Sequence, residues 1–143
     1  MPYSTPPNDP ASSLLKMERI VFDNISFTRS GFKSEQSNEE LSLRINVSVS
    51  NGPESESVSR VRLRVSATKK HEYEASVSIS GFCTVEGTHE LTDNLLKKNA
   101  VAILFPYVRA ELTLLTAQPE TDPIVLPAIN INGLIDNMAQ SGN

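Results

Sequence analysis

The chain has 143 residues, of which 38% are hydrophobic and 21% are charged, and its formal net charge at pH 7 is −4. This length predicts one domain with one modest core, and the acidic balance argues against nucleic acid as the main partner, because nucleic-acid-binding proteins usually present a basic face. One cysteine cannot form an internal disulfide, and no apolar run approaches the about 20 residues that cross a membrane. The N-terminus also lacks the basic and apolar regions of a secretory signal. We therefore expect a cytoplasmic protein that binds neither nucleic acid nor membranes.

The N-terminal region, which includes "MPYSTPPNDPASS", is rich in proline and serine. Such a composition buries too little apolar surface to fold, so we expect a disordered tail over residues 1–16. The folded domain is expected over residues 17–140.

Four segments with strand periodicity follow. Residues 17–28 alternate imperfectly, whereas apolar and polar residues alternate strictly in "LSLRINVSVS" (41–50) and "SRVRLRVSAT" (59–68). In the fourth segment, 72–85, apolar residues fall on alternate positions. Gly81 occupies one of these positions, which indicates a bulge or a close backbone approach. Because the connections are short, the simplest arrangement is an antiparallel meander with one apolar and one polar face.

A helix is predicted from Thr88 to Gln118, because leucine, valine and phenylalanine recur there at three- and four-residue spacing. Pro106 either opens a second helix at its first turn or bends one long helix. Residues 117–127 contain three prolines and are expected to be an extended crossover. Residues 130–138 are predicted to form a short helix that Asn130 or Asn132 caps.

The long helix is apolar on more than one side. Its hydrophobic residues occupy more of the circumference than one sheet can cover, which indicates that a second subunit buries the remainder. Oligomerisation therefore follows from the pattern alone.

The sequence offers little catalytic chemistry. His71, His89 and Cys83 lack the spacing of metal ligands, and there is no glycine-rich phosphate loop. We interpret Cys83 as a small buried hydrophobic residue rather than as a nucleophile paired with His89. No enzyme activity, metal or cofactor is predicted.

Arg60, Arg62 and Arg64 share the polar face of the third strand, where they form either a solvated surface or an anion site. If the preceding loop centres near residue 54, Arg44 lies opposite Arg64, and such a like-charge pair is unfavourable. An acidic group from a loop or a partner would then be expected beside them.

Four strings of residues resemble the SecB family of export chaperones over about residues 17–138. They are "ILFPY-R" (103–109), "LPAIN" (126–130), "RI…DNISF" (19–27) and "LRVSAT" (63–68). The resemblance implies an α+β fold with a four-stranded antiparallel sheet, a long kinked helix and a short C-terminal helix. It also implies a homotetramer, built as a dimer of dimers, whose interface would contain Val101, Ile103, Phe105, Tyr107, Arg109 and Leu112.

The implied function is ATP-independent binding of unfolded client polypeptides, which are kept competent for export or assembly. The groove for these clients would be lined by Leu41, Leu43, Ile45, Val47, Val77 and Ile79. A lid over it would be formed by Ile131, Leu134 and Ile135. The alternative for Leu43 and Ile45 is an ordinary core position.

The sequence departs from the export members at positions that serve docking to the SecA motor. Asn24 and Thr28 stand where acidic residues are usual, Ala75 and Ser76 stand in the part of the fourth strand where acidity is expected, and the sequence ends at "AQSGN" without an acidic tail. We therefore expect weak SecA docking. Service to the antitoxin of a toxin–antitoxin system is the alternative, and an oligomeric scaffold without a client groove is another.

Overall fold

The computed structural model describes residues 14–33, 40–51, 58–86 and 93–127. It contains four strands and one helix, which are β1 (Leu14–Arg29), β2 (Leu41–Asn51), β3 (Ser59–Lys69), β4 (Tyr73–Glu86) and α1 (Asp93–Thr116). The predicted α+β class with a four-stranded antiparallel sheet is confirmed. The predicted lid residues Ile131, Leu134 and Ile135, and the C-terminal helix that carries them, lie outside the described residues.

The strand order is β1-β4-β3-β2, with every neighbouring pair antiparallel. The simple meander order was therefore wrong for β1, which pairs with β4 and not with β2. Only β2, β3 and β4 follow one another as hairpins, and the return of β1 to the far side gives a Greek-key order. The connection over residues 30–40 is much longer than the Lys70–Glu72 turn, so it can carry the chain across the sheet. As a result β1 and β2 form the two edges.

Two β-bulges explain the imperfect alternation of β1. The pairing register with β4 shifts between Met17 and Arg19 and again between Phe22 and Asn24. Each shift inserts one extra residue, which re-aims the side chain at that position. The extra residues are Glu18 and Asp23. The strand also begins at Leu14, within the stretch expected to be a disordered tail, because residues 14–16 pair with the end of β4.

The core lies between one face of the sheet and α1. Its centre is formed by side chains with no exposed surface, from β3 (Val61, Leu63, Val65), β4 (Val77, Ile79) and α1 (Ala100, Leu104, Val108, Leu112). The helical members recur every four residues, so one stripe of α1 is buried along the sheet. Burial of apolar surface on this scale contributes about 25 cal/mol per Å² to folding.

Pro106 lies inside one continuous helix, which decides between the two predicted alternatives. Proline removes a hydrogen bond to the carbonyl four residues earlier, here that of Ala102. Both Pro106 and Ala102 are exposed, so water can hydrate the freed carbonyl. The proline is tolerated because it points away from the core.

Gly81 marks a close approach rather than a bulge in β4. A Cβ atom at this position would lie 2.7 Å from Met17 Sδ and 3.2 Å from Leu104 Cδ2. The glycine therefore lets β1 and α1 pack closely over β4.

None of the described helical residues forms a helix long and apolar enough to span a membrane.

Candidate functional site

An apolar groove runs between the start of β2 and the extended crossover segment 117–127. Its volume is about 410 Å³, and its lining comprises Leu41, Leu43, Lys69, Tyr73, Asp122, Pro123, Ile124, Val125, Leu126 and Pro127. The side chains of Leu41, Leu43 and Val125 are 37%, 42% and 68% exposed. Three large apolar side chains are therefore presented to solvent in one concave surface.

The crossover segment is held in place by the last turns of α1. The backbone N–H of Ile124 donates to Thr116 Oγ1 at 2.8 Å, and Thr113 Oγ1 donates to the carbonyl of Ile124 at 2.6 Å. Ile124 and Leu126 are buried, and Val125 between them points outward. The alternation of "PIVLP" thus anchors the segment on its inner side and leaves one apolar side chain in the groove.

Arg29 ties the beginning of the crossover segment to the end of β1. Its guanidinium donates to the carbonyl of Pro119 at 3.2 Å and to Thr121 Oγ1 at 2.5 Å. The same group lies 5.4 Å from the centre of the Phe27 ring, which stacks on Tyr73 at 5.1 Å. The sequence analysis did not single out Arg29, since nothing in a local pattern indicates a partner 92 residues away.

The crossover segment follows one row of paired residues across the end of the sheet. Arg29 pairs with Tyr73, Tyr73 with Lys69, and Lys69 with Leu41. Residues 119–121 lie at Arg29 and residues 122–127 line the groove with the other three. The groove therefore forms where the segment reaches the open β2 edge.

Charged groups lie at one end of the groove. Lys33 Nζ contacts Asp122 Oδ1 at 2.8 Å, and this hydrogen bond and its charge lower the pKa of Asp122. Burial, followed by the nearby carboxylates of Glu72 and Asp122, raises the pKa of Tyr73 above its ordinary value. Lys69 Nζ lies 3.4 Å from the buried Glu72 carboxylate. Because this end of the groove is polar, apolar side chains of a bound polypeptide would contact the other end, at Leu43 and Val125.

The residues predicted to line a client groove fall into two groups. Leu41 and Leu43 lie in the observed groove, and Ile45 and Val47 continue the same face of β2 with decreasing exposure. Val77 and Ile79 have no exposed surface, because β4 is a central strand beneath α1. These two residues are core, and the groove that we propose below excludes them.

The residues predicted to form an oligomer interface also fall into a buried group and an exposed group. Val101, Phe105 and Leu112 are buried against the chain's own sheet, so they are core residues and not free interface residues. Ile103, Tyr107 and Arg109 lie on the exposed side of α1. We call the apolar part of that side the outer helix strip, and it consists of Ile103, Pro106, Tyr107, Ala110 and Leu114. Leu114 is 69% exposed and Tyr107 49%, an unusual exposure for large apolar side chains along one helix face.

The opposite face of the sheet is polar and carries the arginine row. Asp23, which the second bulge of β1 re-aims, accepts from Arg60 Nη2 at 2.7 Å and from Ser80 Oγ at 2.5 Å. Arg62 Nε lies 3.3 Å from Asp23 Oδ2, the oxygen that also accepts from Ser80. The acidic group expected from a loop or a partner was placed beside Arg44 and Arg64, whereas Asp23 lies on β1 and pairs with Arg60 and Arg62. The expected pairing of Arg44 with Arg64 was wrong, because Arg44 lies opposite Ser66 and Arg64 lies opposite Asn46.

Cys83 is fully buried, and its thiol donates weakly to the carbonyl of Ser59 at 3.6 Å. Burial raises the pKa of this thiol, which disfavours the reactive thiolate. His89 lies outside the described residues. Within the described ranges no cluster of histidine, cysteine, aspartate or glutamate has the geometry of a metal site.

Comparison with known proteins agrees with this architecture. The model of the family described as "SecB: Preprotein translocase subunit SecB" matches residues 9–141. The chain belongs to the SecB family. The family match confirms the predicted membership.

Individual relatives are more distant. The chain is 39% identical over 66 residues to "Uncharacterized protein MJ0357" of Methanocaldococcus jannaschii, a match that takes in 46% of this chain and 43% of that relative's length. Among solved structures, the fold is similar to the Mycobacterium tuberculosis Rv1957 SecB-like chaperone in complex with a ChAD peptide from the Rv1956 HigA1 antitoxin. That likeness has a TM-score of 0.64 at 15% identity and covers 80% of this chain and 90% of that one. A protein of unknown function from Streptococcus agalactiae is similar at a TM-score of 0.51 and 13% identity, over 82% of this chain and 99% of that chain.

Of the four positions compared above with the docking acids of export members, three lie on the polar face of the sheet and one lies in the core. Asn24 and Thr28 are exposed on β1, whereas Ser76 is only 4% exposed and its hydroxyl accepts a hydrogen bond from Arg64 Nε at 3.2 Å. Ala75 points into the core with no exposed surface. The acids are therefore missing at the accessible positions, and arginines occupy the centre of the face.

Proposed function

We propose that this protein is an ATP-independent chaperone that binds extended apolar segments of unfolded polypeptides in the groove between β2 and the crossover segment. Membership of the SecB family supports the chaperone class. The observation that carries the proposal is the exposure of Leu41, Leu43 and Val125 in one concave surface. Exposed apolar side chains that converge on a groove are typical of a binding site, whereas scattered ones are ordinary surface.

The open edge of β2 supports binding that does not depend on one client sequence. Among the described strands β2 pairs with β3 alone, so its other side presents backbone donors and acceptors that no described strand pairs. An extended segment added along this edge would form main-chain hydrogen bonds, while its side chains enter the apolar groove. Such contacts suit many clients and need no nucleotide.

We also propose that the chain forms a homotetramer in which the outer helix strip is one contact surface. The strip is apolar over about three helical turns, and its exposure in a single chain supports burial by another copy. Several grooves in one assembly would raise the avidity for a long unfolded client without any new contact. Arg109 and the half-buried Glu111 lie beside the strip, where copies could pair them.

Suppression of aggregation tests the chaperone function. The wild-type protein, without ATP, is expected to keep a chemically unfolded, unrelated protein in solution on dilution. Leu43→Asp should abolish this effect, because it places a charge in the groove. Ser50→Asp is the matched control, since it adds the same charge on the polar face of the same strand. Equal activity of the two variants would mean that clients bind elsewhere.

A dedicated service to an antitoxin is the second candidate. The solved structure of the Mycobacterium tuberculosis SecB-like chaperone holds an antitoxin peptide, and its fold is similar to this one. Coexpression with an antitoxin from the same operon, where one is encoded, separates the two functions. A dedicated chaperone raises the level of that antitoxin selectively, and a general chaperone does not.

A further inference from the structure

A second concave site lies on the other side of β2, on the polar face of the sheet. We call it the outer pocket. Its volume is about 440 Å³, and its lining comprises Ser42, Leu43, Arg44, Asn46, Arg64, Ser66, Thr68 and Glu74. Leu43 borders both this pocket and the apolar groove. The two sites therefore meet along the open edge of the sheet.

The two arginines of the outer pocket, Arg44 and Arg64, differ in their partners from Arg60 and Arg62. Asp23 holds Arg60 and Arg62 in ion pairs. Arg44 and Arg64 make no ion pair with any carboxylate among the described residues, and Arg64 uses only its Nε–H on Ser76. Glu74 lies in the same lining, so two guanidinium groups face one carboxylate there. The pocket thus carries an excess of positive charge although the chain as a whole is negative.

The geometry of a strand links this charge to the apolar groove. Successive side chains of a strand point to opposite faces of its sheet. β2 shows this alternation, with Leu41 and Leu43 on the groove side and Ser42 and Arg44 on the outer side. A client segment paired along the same edge would send every second side chain into the groove and the others toward Arg44.

We infer that the clients bound most tightly are extended segments in which apolar residues alternate with acidic ones. This inference rests on the proposed groove. The apolar side chains fill the space beside Leu43 and Val125, and the carboxylates lie against Arg44 and Arg64. Opposite charges on directly paired or diagonal strand positions attract, and guanidinium groups match carboxylates in geometry. The arginines thereby determine specificity, while the groove supplies a general affinity for apolar residues.

Two labelled ten-residue peptides test the inference by fluorescence anisotropy at low salt. Both carry leucine at every second position, and between the leucines one has two glutamates and the other two lysines, with serine elsewhere. The glutamate peptide is expected to bind about tenfold more tightly, although the net charge of the chain, −4, opposes it. The preference should shrink as salt is added, because exposed charges are screened.

Charge reversal in the outer pocket should invert the preference. Arg44→Glu with Arg64→Glu is expected to favour the lysine peptide, and Arg44→Gln alone should reduce the preference if the double variant does not fold. Arg19→Glu is the matched control, because Arg19 is exposed on β1 at the opposite edge of the sheet. It should leave the preference unchanged.

Three outcomes are distinguishable. Equal binding of both peptides to the wild-type protein would overturn the inference and leave the apolar groove intact. Binding of neither peptide would overturn the groove itself and the inference with it. A preference that Arg19→Glu reduces as much as Arg44→Gln would mean that general surface charge, and not the outer pocket, selects the peptide.

Discussion

Arg29 Nη2 donates a hydrogen bond of 2.5 Å to the Thr121 hydroxyl, and so joins the end of β1 to the crossover segment. A further bond from the same guanidinium to the Pro119 carbonyl makes this contact a two-pronged clamp. The clamp lies at the β1 edge, whereas the groove lies at the β2 edge. Because one extended segment connects them, we expect the position of Val125 in the groove to depend on Arg29 as well as on the bonds from α1 to Ile124.

Arg29→Ala should therefore weaken client binding without a substitution in the groove. Loss of the four hydrogen bonds that the guanidinium donates, to Gly31, Pro119, Glu120 and Thr121, is expected to lower the free energy of unfolding by about 1–3 kcal/mol. Arg29→Lys should give an intermediate loss, since lysine keeps the charge but not the fork. Urea unfolding and client anisotropy measure the two effects, with Arg19→Ala as the control. Wild-type affinity in a folded Arg29→Ala protein would show that the clamp does not position the groove.

The outer helix strip gives a prediction about assembly. Tyr107→Asp with Leu114→Asp should convert the proposed tetramer to smaller, folded species, because an unpaired charge in an interface costs several kcal/mol. Leu112→Asp should instead unfold the chain, since Leu112 has no exposed surface within one protomer. Analytical sedimentation together with circular dichroism separates the two results. A tetramer that survives the strip variant would place the interface elsewhere.

The polar face gives a prediction about the SecA motor. SecA binding is expected to be at least about tenfold weaker than for a relative with acids on this face, which corresponds to about 1.4 kcal/mol. Asn24→Asp with Thr28→Glu should strengthen binding, because both positions are exposed on β1. Ser76→Glu should not, since Ser76 is buried beneath Arg64 and a carboxylate there would disturb the sheet. Titration at low salt measures these affinities, and equal binding of this protein and the acidic relative would contradict the prediction.

Tyr73 gives a prediction about alkaline stability. Burial and the Glu72 and Asp122 carboxylates raise its pKa above the ordinary value of 10.0, so the folded state keeps the phenol proton after the unfolded state has lost it. The stabilisation is complete below pH 10.0 and is lost as the pH rises through the folded pKa. Tyr73→Phe should remove the part of the alkaline stability loss that is due to ionisation of Tyr73. Urea unfolding at pH 8 to 11 measures this loss, and identical pH profiles for wild type and Tyr73→Phe would contradict the prediction.

Strand and helix positions were predictable because burial on one face leaves a period in the sequence. β2 and β3 alternate strictly, and their apolar parity is the observed core face. β1 was harder to interpret, since its two bulges break the period at Glu18 and Asp23. Its place beside β4 could not be derived from periodicity, which describes a strand's faces but not its neighbours.

The site was predictable only in part. Leu41 and Leu43, which line the observed groove, were proposed because they lie on the apolar face of β2. The same reasoning applied to β4 selected Val77 and Ile79, which are core. Alternation of apolar and polar residues does not show whether a strand lies at the edge or in the centre of a sheet. The strand order shows it. The clamp at Arg29 and the ion pairs of Asp23 join residues far apart in sequence. No local pattern contains such contacts.

Photo-crosslinking from the groove tests the central claim most directly. A photoreactive residue replaces Leu43 in one variant and Arg19 in another, and each is irradiated with a labelled unfolded client in the absence of nucleotide. Position 43 is expected to crosslink the client, and competition with an unlabelled apolar peptide should abolish the product. Position 19, on the opposite edge of the sheet, should give little product. A client that crosslinks equally from both positions, or only from position 19, would contradict the assignment of the groove beside β2.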